Sequence, residues 1–357
     1  MHDDRREAPR PGRSPFVSVI VPVRDDGERI RDLVRLLSAQ TLPRGQFEVV
    51  IGDDGSSDGS LAGVATEDGW VRVVRGPRQN SYGARNRAVT ASAGDLLAFC
   101  DSDCAPEPTW LEEGVAALRE AGVAAGDVRY AAPARPTAWS LLTVDMYLDQ
   151  QNNVLLSRAV TANLFVRRPV FLELGGFDES LPSGGDFDFV RRAVEAGARL
   201  VYSPAAIVRH PTLDDRRSFL RKVRRTNRWA VVRRGREGGR PNKDTLASFV
   251  PLCGVRKARV DALRPPWRLQ RARLEAAGLA PSRWQELRAL VVLFTVVGYA
   301  AAFARALAWV EVLRPPRASP ASEPSALPES QEVTPPVDTP RGTVARSGGA
   351  GPSRWDA

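Results

Sequence analysis

The 357-residue sequence predicts an α/β protein, with a mostly parallel sheet flanked by helices and a helical, basic and partly apolar C-terminal extension. Three observations carry this prediction. Short apolar runs alternate with helical spacings from Phe16 to about Gly122, the pattern of βαβ units. Acidic residues cluster at the ends of two of those runs, where ligands bind in open parallel sheets. Beyond Arg216 the text becomes dense in arginine and then uncharged and apolar.

The elements follow in order. FVSVIVPV, from Phe16, is a short β-branched run and predicts a buried strand. GERIRDLVRLLSAQ places Ile30, Leu33, Val34 and Leu37 on one helical face. FEVVIGDDGSSD is a second strand ending in acidic residues, LAGVATED reads as a short helix, and VRVVRG as a third strand. SYGARNRAVTASAG predicts a helix, DLLAFCDSDC a fourth strand, and TWLEEGVAALREAG another helix. TANLFVRR then reads as a strand, GGFDESLPSGG as loop, and DFDFVRRAVEAG as a helix burying Phe189, Val190, Ala193 and Val194. RLVYSPAAIVRH supplies two strand-like pieces ending at His210. The expected division is a leader at 1–14, a catalytic domain at 15–212, a helical basic and apolar region at 213–312, and a Pro/Ser/Ala/Thr-rich tail at 313–357.

Hydrophobic residues make up 43% of the chain, enough for a packed core, and a net charge of +9 points to an anionic partner. The three cysteines, Cys100, Cys104 and Cys253, are too few for a disulfide framework. Cys100 and Cys104 read as small buried apolar side chains. The charged, Pro-rich start has no apolar signal region, so the expected location is cytoplasmic, peripheral to or anchored at the inner face of the membrane.

The chemistry concentrates in five places. Asp101-Ser102-Asp103 sets two carboxylates at a strand end, a costly arrangement unless neutralised. A hard divalent cation such as Mn²⁺ or Mg²⁺ does this and bridges to a diphosphate. Asp53, at the end of the second strand, is placed to accept from a nucleobase or ribose, while Ser57 or Asp58 reads as a helix N-cap. Gly83-Ala84-Arg85-Asn86 offers small residues for close helix packing and an arginine aimed at the acidic rim. Asp186 and Asp188, two apart at a helix start, point in different directions, so one can cap while the other faces a pocket as a general base. His210 is available to join a metal site with Asp103.

Taken in order, VSVIVPV, VVIGDDGSSD, GARNRAV…AGDLLAFCDSD, TANLFVRR…ELGGFDE, GGDFDF and His210 resemble the family 2 glycosyltransferases, which have the Rossmann-like GT-A fold. The resemblance covers roughly Val17 to His210. It implies inverting transfer of a sugar from a nucleoside diphosphate, most often uridine diphosphate, to an acceptor hydroxyl. By that resemblance Asp53 contacts the base, Arg85, Asp101 and Ser102 help hold the nucleotide, and Pro22, Val23 and Asp25 line its pocket. Asp103 and His210 bind the metal and Asp186 is the base. Two departures stand out. Gly185 occupies a position where the family often has Glu, so a pocket contact is missing or supplied elsewhere, and Arg24-Asp25 replaces the more frequent Tyr-Asn.

The arginine-rich stretch has three readings: a face near the diphosphate site, a nucleic-acid surface, or a membrane-surface helix with Phe219, Leu220 and Trp229 entering anionic lipid; its place before a hydrophobic segment favours the last. Neither a stacking platform nor a recognition helix is evident for nucleic acid, so none is expected as a partner. The uncharged run Ala289–Ala304 is short of the about 20 residues of a span, unless Arg305 snorkels and the run continues. A membrane location would suit a lipid-linked acceptor; glycan and small-molecule acceptors are the other classes, in cell-surface polysaccharide or glycolipid synthesis. A nucleotidyltransferase would share the sheet and metal, but no Gly-rich, Lys-bearing phosphate loop follows the first strand.

Overall fold

The computed structural model describes residues 16–131, 133, 135–236 and 271–313, with the side chains of 233–236 and 309–313 excepted. The leader, Cys253, Pro265-Pro266 and all but the first residue of the expected tail lie outside the described residues.

Eight strands form one sheet in the order β3-β2-β1-β4-β7-β6-β8-β5. The parallel half is β1 (Val17–Val23), β2 (Phe47–Asp53), β3 (Val71–Arg75) and β4 (Leu96–Cys100). β1 lies between β2 and β4, with Val23 beside Asp53 and Ile20 beside Phe99, so the ends of these strands form one rim. β7 (Asn163–Arg167) runs antiparallel to β4 and to β6 (Val123–Ala131), and β6 is parallel to β8 (Leu200–Pro211). β5 (Ala105–Pro106), separated from Asp101-Ser102-Asp103 by Cys104 alone, pairs antiparallel with the end of β8. That short pairing sets Ala105 opposite Arg209 and thereby carries His210 to the acidic rim.

Side chains alternate across the pleat. Val17, Val19 and Val21 face α1 (Gly27–Ser38) and α3 (Trp110–Ala117), burying Ile30, Leu33, Leu37 and Trp110. Ile20, Leu97 and Phe99 face the other way, onto Phe171, Phe177 and Phe189 of α6 (Arg168–Glu173), its following loop and α7 (Gly185–Glu195). α2 (Ser81–Thr90) rides close on β2, because a Cβ at Gly52 would lie 2.2 Å from the Ala84 carbonyl oxygen.

Some elements differ from expectation. LAGVATED is a series of turns and not a helix, since Gly59, Gly63 and Gly69 take left-handed φ values that interrupt helical propagation. Ser57 and Asp58 therefore cap no helix; the Ser57 N–H donates to Asp25 and Asp58 accepts from the Ser60 N–H. The two pieces of RLVYSPAAIVRH are one strand, but its pairing with β6 shifts between Gly126 and Asp127. The strand β6 and the helices α4 (Ala138–Met146) and α5 (Gln150–Leu155) were not anticipated.

The extension packs a third core. α8 (Arg216–Arg236) buries Phe219, Leu220 and Val223 against α4, α9 (Arg271–Ala276), α10 (Arg283–Val292), a π-turn at Leu293–Val297 and α11 (Gly298–Leu313). Trp229 joins the core under α7. Phe219, Leu220 and Trp229 are thus interior, which overturns the reading that inserts them in lipid. Arg305 does not snorkel either: its guanidinium donates to Asn227 on α8 at 2.5 Å. The apolar helix is two-faced. Ala289, Leu290, Leu293 and Val297 are buried, while Trp284, Leu287, Val291, Tyr299, Phe303 and Leu307 are exposed.

Candidate active site

The rim opens into a cleft of about 810 Å³. Of the residues singled out by sequence, Pro22, Val23, Arg85, Asp101, Ser102, Asp103, Asp186 and His210 line it. Asp53 and Asp25 do not. Asp53 is buried and accepts from the Ser56 N–H at 2.8 Å, and Asp25 accepts from the Ser57 N–H, so both brace the loop after β2. Asp54, the neighbour of Asp53, does face the cleft while accepting from the Gln79 N–H.

Arg85 reaches the rim because α2 sits so near the sheet. The residue is 3% exposed, and its guanidinium donates to Asp101 at 2.5 Å. Ser102 donates to Asp26 at 2.9 Å, which fixes the turn between the two carboxylates. Asn86, one residue on, grips the loop after α6 by donating to the Phe177 carbonyl and accepting from the Phe177 N–H. The Gly83-Ala84-Arg85-Asn86 motif therefore links the rim to the loop that leads into α7.

Asp103 lies 3.6 Å from His210 Nε2. The imidazole Nδ1 is 2.7 Å from the Pro211 carbonyl, an acceptor only, so Nδ1 donates there and Nε2 is the nitrogen turned toward Asp103. Burial pushes the Asp103 carboxyl above its usual range; His210 opposes this and Asp101 adds to it. Ligand atoms of Asp103, Cys104 and His210 all lie within 4.8 Å of one another, a separation that suits one cation. Cys104 is a free thiol, held protonated by its hydrogen bond with Cys100 and by burial, leaving the carboxylate and imidazole as the donors, a set that fits Mn²⁺ or Mg²⁺.

Asp186 sits in the first turn of α7. Burial pushes its carboxyl upward, against the Phe187 N–H that it accepts from at 3.0 Å and the charge of Arg85. Neither acid caps the helix, contrary to the sequence reading. Asp188 pairs with Arg191 and Arg192, and Arg192 in turn donates to the carbonyls of Leu174 and Gly176. Gly184 supplies the left-handed turn before the helix instead.

Several cleft residues carried no readable signal. A Cβ on Gly185 would lie 2.9 Å from the Tyr82 ring, so the ring occupies the space that a side chain at 185 would take. The Tyr82 hydroxyl is 3.5 Å from Asp186. Arg221, Lys222 and Arg225 of α8 also line the cleft, which favours the first of the three readings of the arginine-rich stretch.

Comparisons with known proteins agree with this architecture. The sequence pattern of Glycosyl transferase family 2 matches residues 18–172. Glycosyltransferase AglE of Haloferax volcanii is 36% identical over 207 residues, covering 55% of this chain and 67% of that protein. Pre-mycofactocin glycosyltransferase of Mycobacterium tuberculosis is 32% identical over 230 residues, 60% of this chain and 46% of that relative, so the match spans about half its length. Among solved structures, the mannosyltransferase PcManGT from Pyrobaculum calidifontis, in complex with GDP-Man and Mn²⁺, superposes with a TM-score of 0.54 at 20% identity, over 85% of this chain and 89% of that one. With an archaeal relative matched over two thirds of its length and the family pattern falling on the strands that carry the acidic rim, this chain belongs to the family 2 glycosyltransferases and is an enzyme of glycosyl transfer.

Proposed function

We propose that the enzyme transfers a sugar from a nucleoside-diphosphate donor, a UDP-sugar by the family resemblance, to an acceptor hydroxyl with inversion. The observation that carries this is Asp186, a half-buried carboxylate inside the cleft that also holds Asp101, Asp103 and His210. Asp186 takes the proton of the acceptor hydroxyl as its oxygen attacks the anomeric carbon. The bond from that carbon to the diphosphate breaks, and the nucleoside diphosphate leaves with the electron pair. Attack from the side opposite the leaving group inverts the anomeric centre. Burial raises the proton affinity of Asp186, which suits a general base.

Asp103 and His210 would hold a divalent cation, which when bound offsets the charge on the departing diphosphate. Arg85, held by Asp101, presents its positive charge at the nucleotide end, with Pro22, Val23 and Ser102 beside it. Asp53 and Asp25 act through the loop they brace, and Asp53 reaches the base only if that loop reorders on binding. The Tyr82 ring stands in for the missing side chain at Gly185 and steadies Asp186. Strands β1 to β8 supply the sheet and acidic rim, and α8 closes one side of the cleft.

The acceptor is a glycan or a lipid-linked molecule. The exposed stripe of Trp284, Leu287, Val291, Tyr299, Phe303 and Leu307 supports a membrane-surface location at the cytoplasmic face. Sedimentation of the full chain with anionic vesicles checks this, and a chain left wholly in the supernatant contradicts it. The function itself is tested by a screen of nucleotide-sugars, with and without chelator. Consumption of one donor only in the presence of metal is expected; no consumption of any, or undiminished consumption in chelator, contradicts the reading.

A further inference from the structure

Tyr147, Leu148 and Asp149 join α4 to α5 and line the cleft. Leu148 takes φ +52° there, a left-handed value that is unfavourable for leucine and persists only where neighbours enforce it. Much of that enforcement comes from one guanidinium. Arg273 of α9 donates to the carbonyls of Asp145, at 3.3 Å, and of Tyr147, and pairs with Asp149 at 3.5 Å. Its contacts thus fall on both sides of Leu148. A planar fork that meets two carbonyls and a carboxylate fixes position as well as charge. α9 is itself anchored by Leu274, which is buried in the third core, and Asp149 caps α5 by accepting from the Asn152 N–H at 3.2 Å.

This corner carries a charge toward the acidic rim. The Lys222 ammonium of α8 lies 4.3 Å over the Tyr147 ring, whose face attracts a cation. Burial and then Arg225 push the Lys222 pKa down to about 8, while Asp101, Asp103 and Asp186 pull it the other way, so the ammonium sits within the field of all three acids. A displaced Tyr147 would displace the seat of that charge. We propose that Arg273 is a positioning residue of the active site: by clamping the corner at Tyr147–Asp149 it seats Lys222 at the acidic rim, where the ammonium meets the diphosphate of the donor. The diphosphate in this proposal rests on the glycosyl-transfer reading; the clamp does not. The C-terminal helices, which lie beyond the residues 18–172 of the family pattern, thereby become part of the site.

Wild type, Arg273→Met, Lys222→Met and the double variant are compared as full chains in two measurements. The first is amide hydrogen exchange without nucleotide. Arg273→Met should speed exchange across residues 147–150 at least about tenfold, as loss of charge-assisted hydrogen bonds implies, and leave β1 and β4 unchanged. The second is calorimetric titration with UDP or GDP plus Mn²⁺. Each single variant should weaken nucleotide binding about fivefold or more. The double variant should bind within about twofold of Lys222→Met, because Arg273 acts through Lys222. Where Arg273→Met does not fold, Arg273→Lys, which keeps the charge and loses the fork, takes its place in both measurements. Unchanged exchange at 147–150 overturns the clamp. Losses that multiply in the double variant, as for a residue that only fastens α9 to α4, overturn its action through Lys222, and so does wild-type nucleotide binding by either single variant. Wild type that binds neither nucleotide refutes the glycosyl-transfer reading, and the diphosphate assignment with it, while hydrogen exchange still decides the clamp.

Discussion

Replacing Gly184 by Ala tests how the base is held. Gly184 has φ +77° and its missing Cβ would fall 2.1 Å from Trp229 Nε1. Two penalties follow. The left-handed conformation costs an L-residue about 1–2 kcal/mol, and forcing a methyl against a packed indole costs about 1–3 kcal/mol more. Gly184→Ala should therefore lose about 2–5 kcal/mol, measured by denaturant unfolding with unchanged slope. The two terms are separable in a double-mutant cycle. In a Trp229→Leu background the clash is gone, and Gly184→Ala should cost only the conformational part, about 1–2 kcal/mol. Donor consumption should fall as well, because the residue two positions on is Asp186. A loss below about 0.5 kcal/mol, the usual scatter of surface substitutions, or equal costs in both backgrounds, would refute the claim that α8 buttresses the turn before the base.

Other outcomes follow from the same geometry. Burial raises the Asp186 pKa, so between the unfolded value of about 3.9 and the folded value the native state binds more protons and stability falls as pH rises. Asp186→Asn removes that penalty: its stability relative to wild type should grow from below pH about 4 toward neutrality, and a pH-independent difference in unfolding contradicts this. His210→Ala and Asp103→Asn should each weaken Mn²⁺ binding in the presence of nucleoside diphosphate at least tenfold, by calorimetry; unchanged affinity removes the metal assignment. Arg85→Met leaves Asp101 without its partner, but that carboxylate is partly open to water, so a stability loss of about 1–3 kcal/mol is expected together with weaker nucleotide binding. Nucleotide binding at wild-type strength would count against Arg85.

Much of the fold was legible because strands β1, β2 and β4 are short, mostly apolar runs, with β2 ending in Asp53 and β4 running into Asp101. β6 escaped notice because VAAGDVRYA mixes small and charged residues, and its strand character comes from its two neighbours. The turn text at LAGVATED misled for the opposite reason: its apolar spacing is helical, but the glycines around it adopt φ values only the backbone reveals. The site was half legible. Asp101, Asp103, Asp186 and His210 converge as their order implied. The inward turn of Asp54 in place of Asp53 depends on one peptide's orientation at the strand end. The α8 cations depend on which face of a helix is buried, and Phe219 and Val223 recorded that face in their helical spacing.

The central claim is that Asp186 removes the acceptor proton at a nucleotide-sugar site. Its most direct test is donor binding and sugar transfer by Asp186→Asn, measured side by side with wild type. The account predicts donor affinity within about twofold and a transfer rate reduced at least 10²-fold, as expected for loss of a general base. Transfer at the wild-type rate by a variant that still binds donor would contradict it.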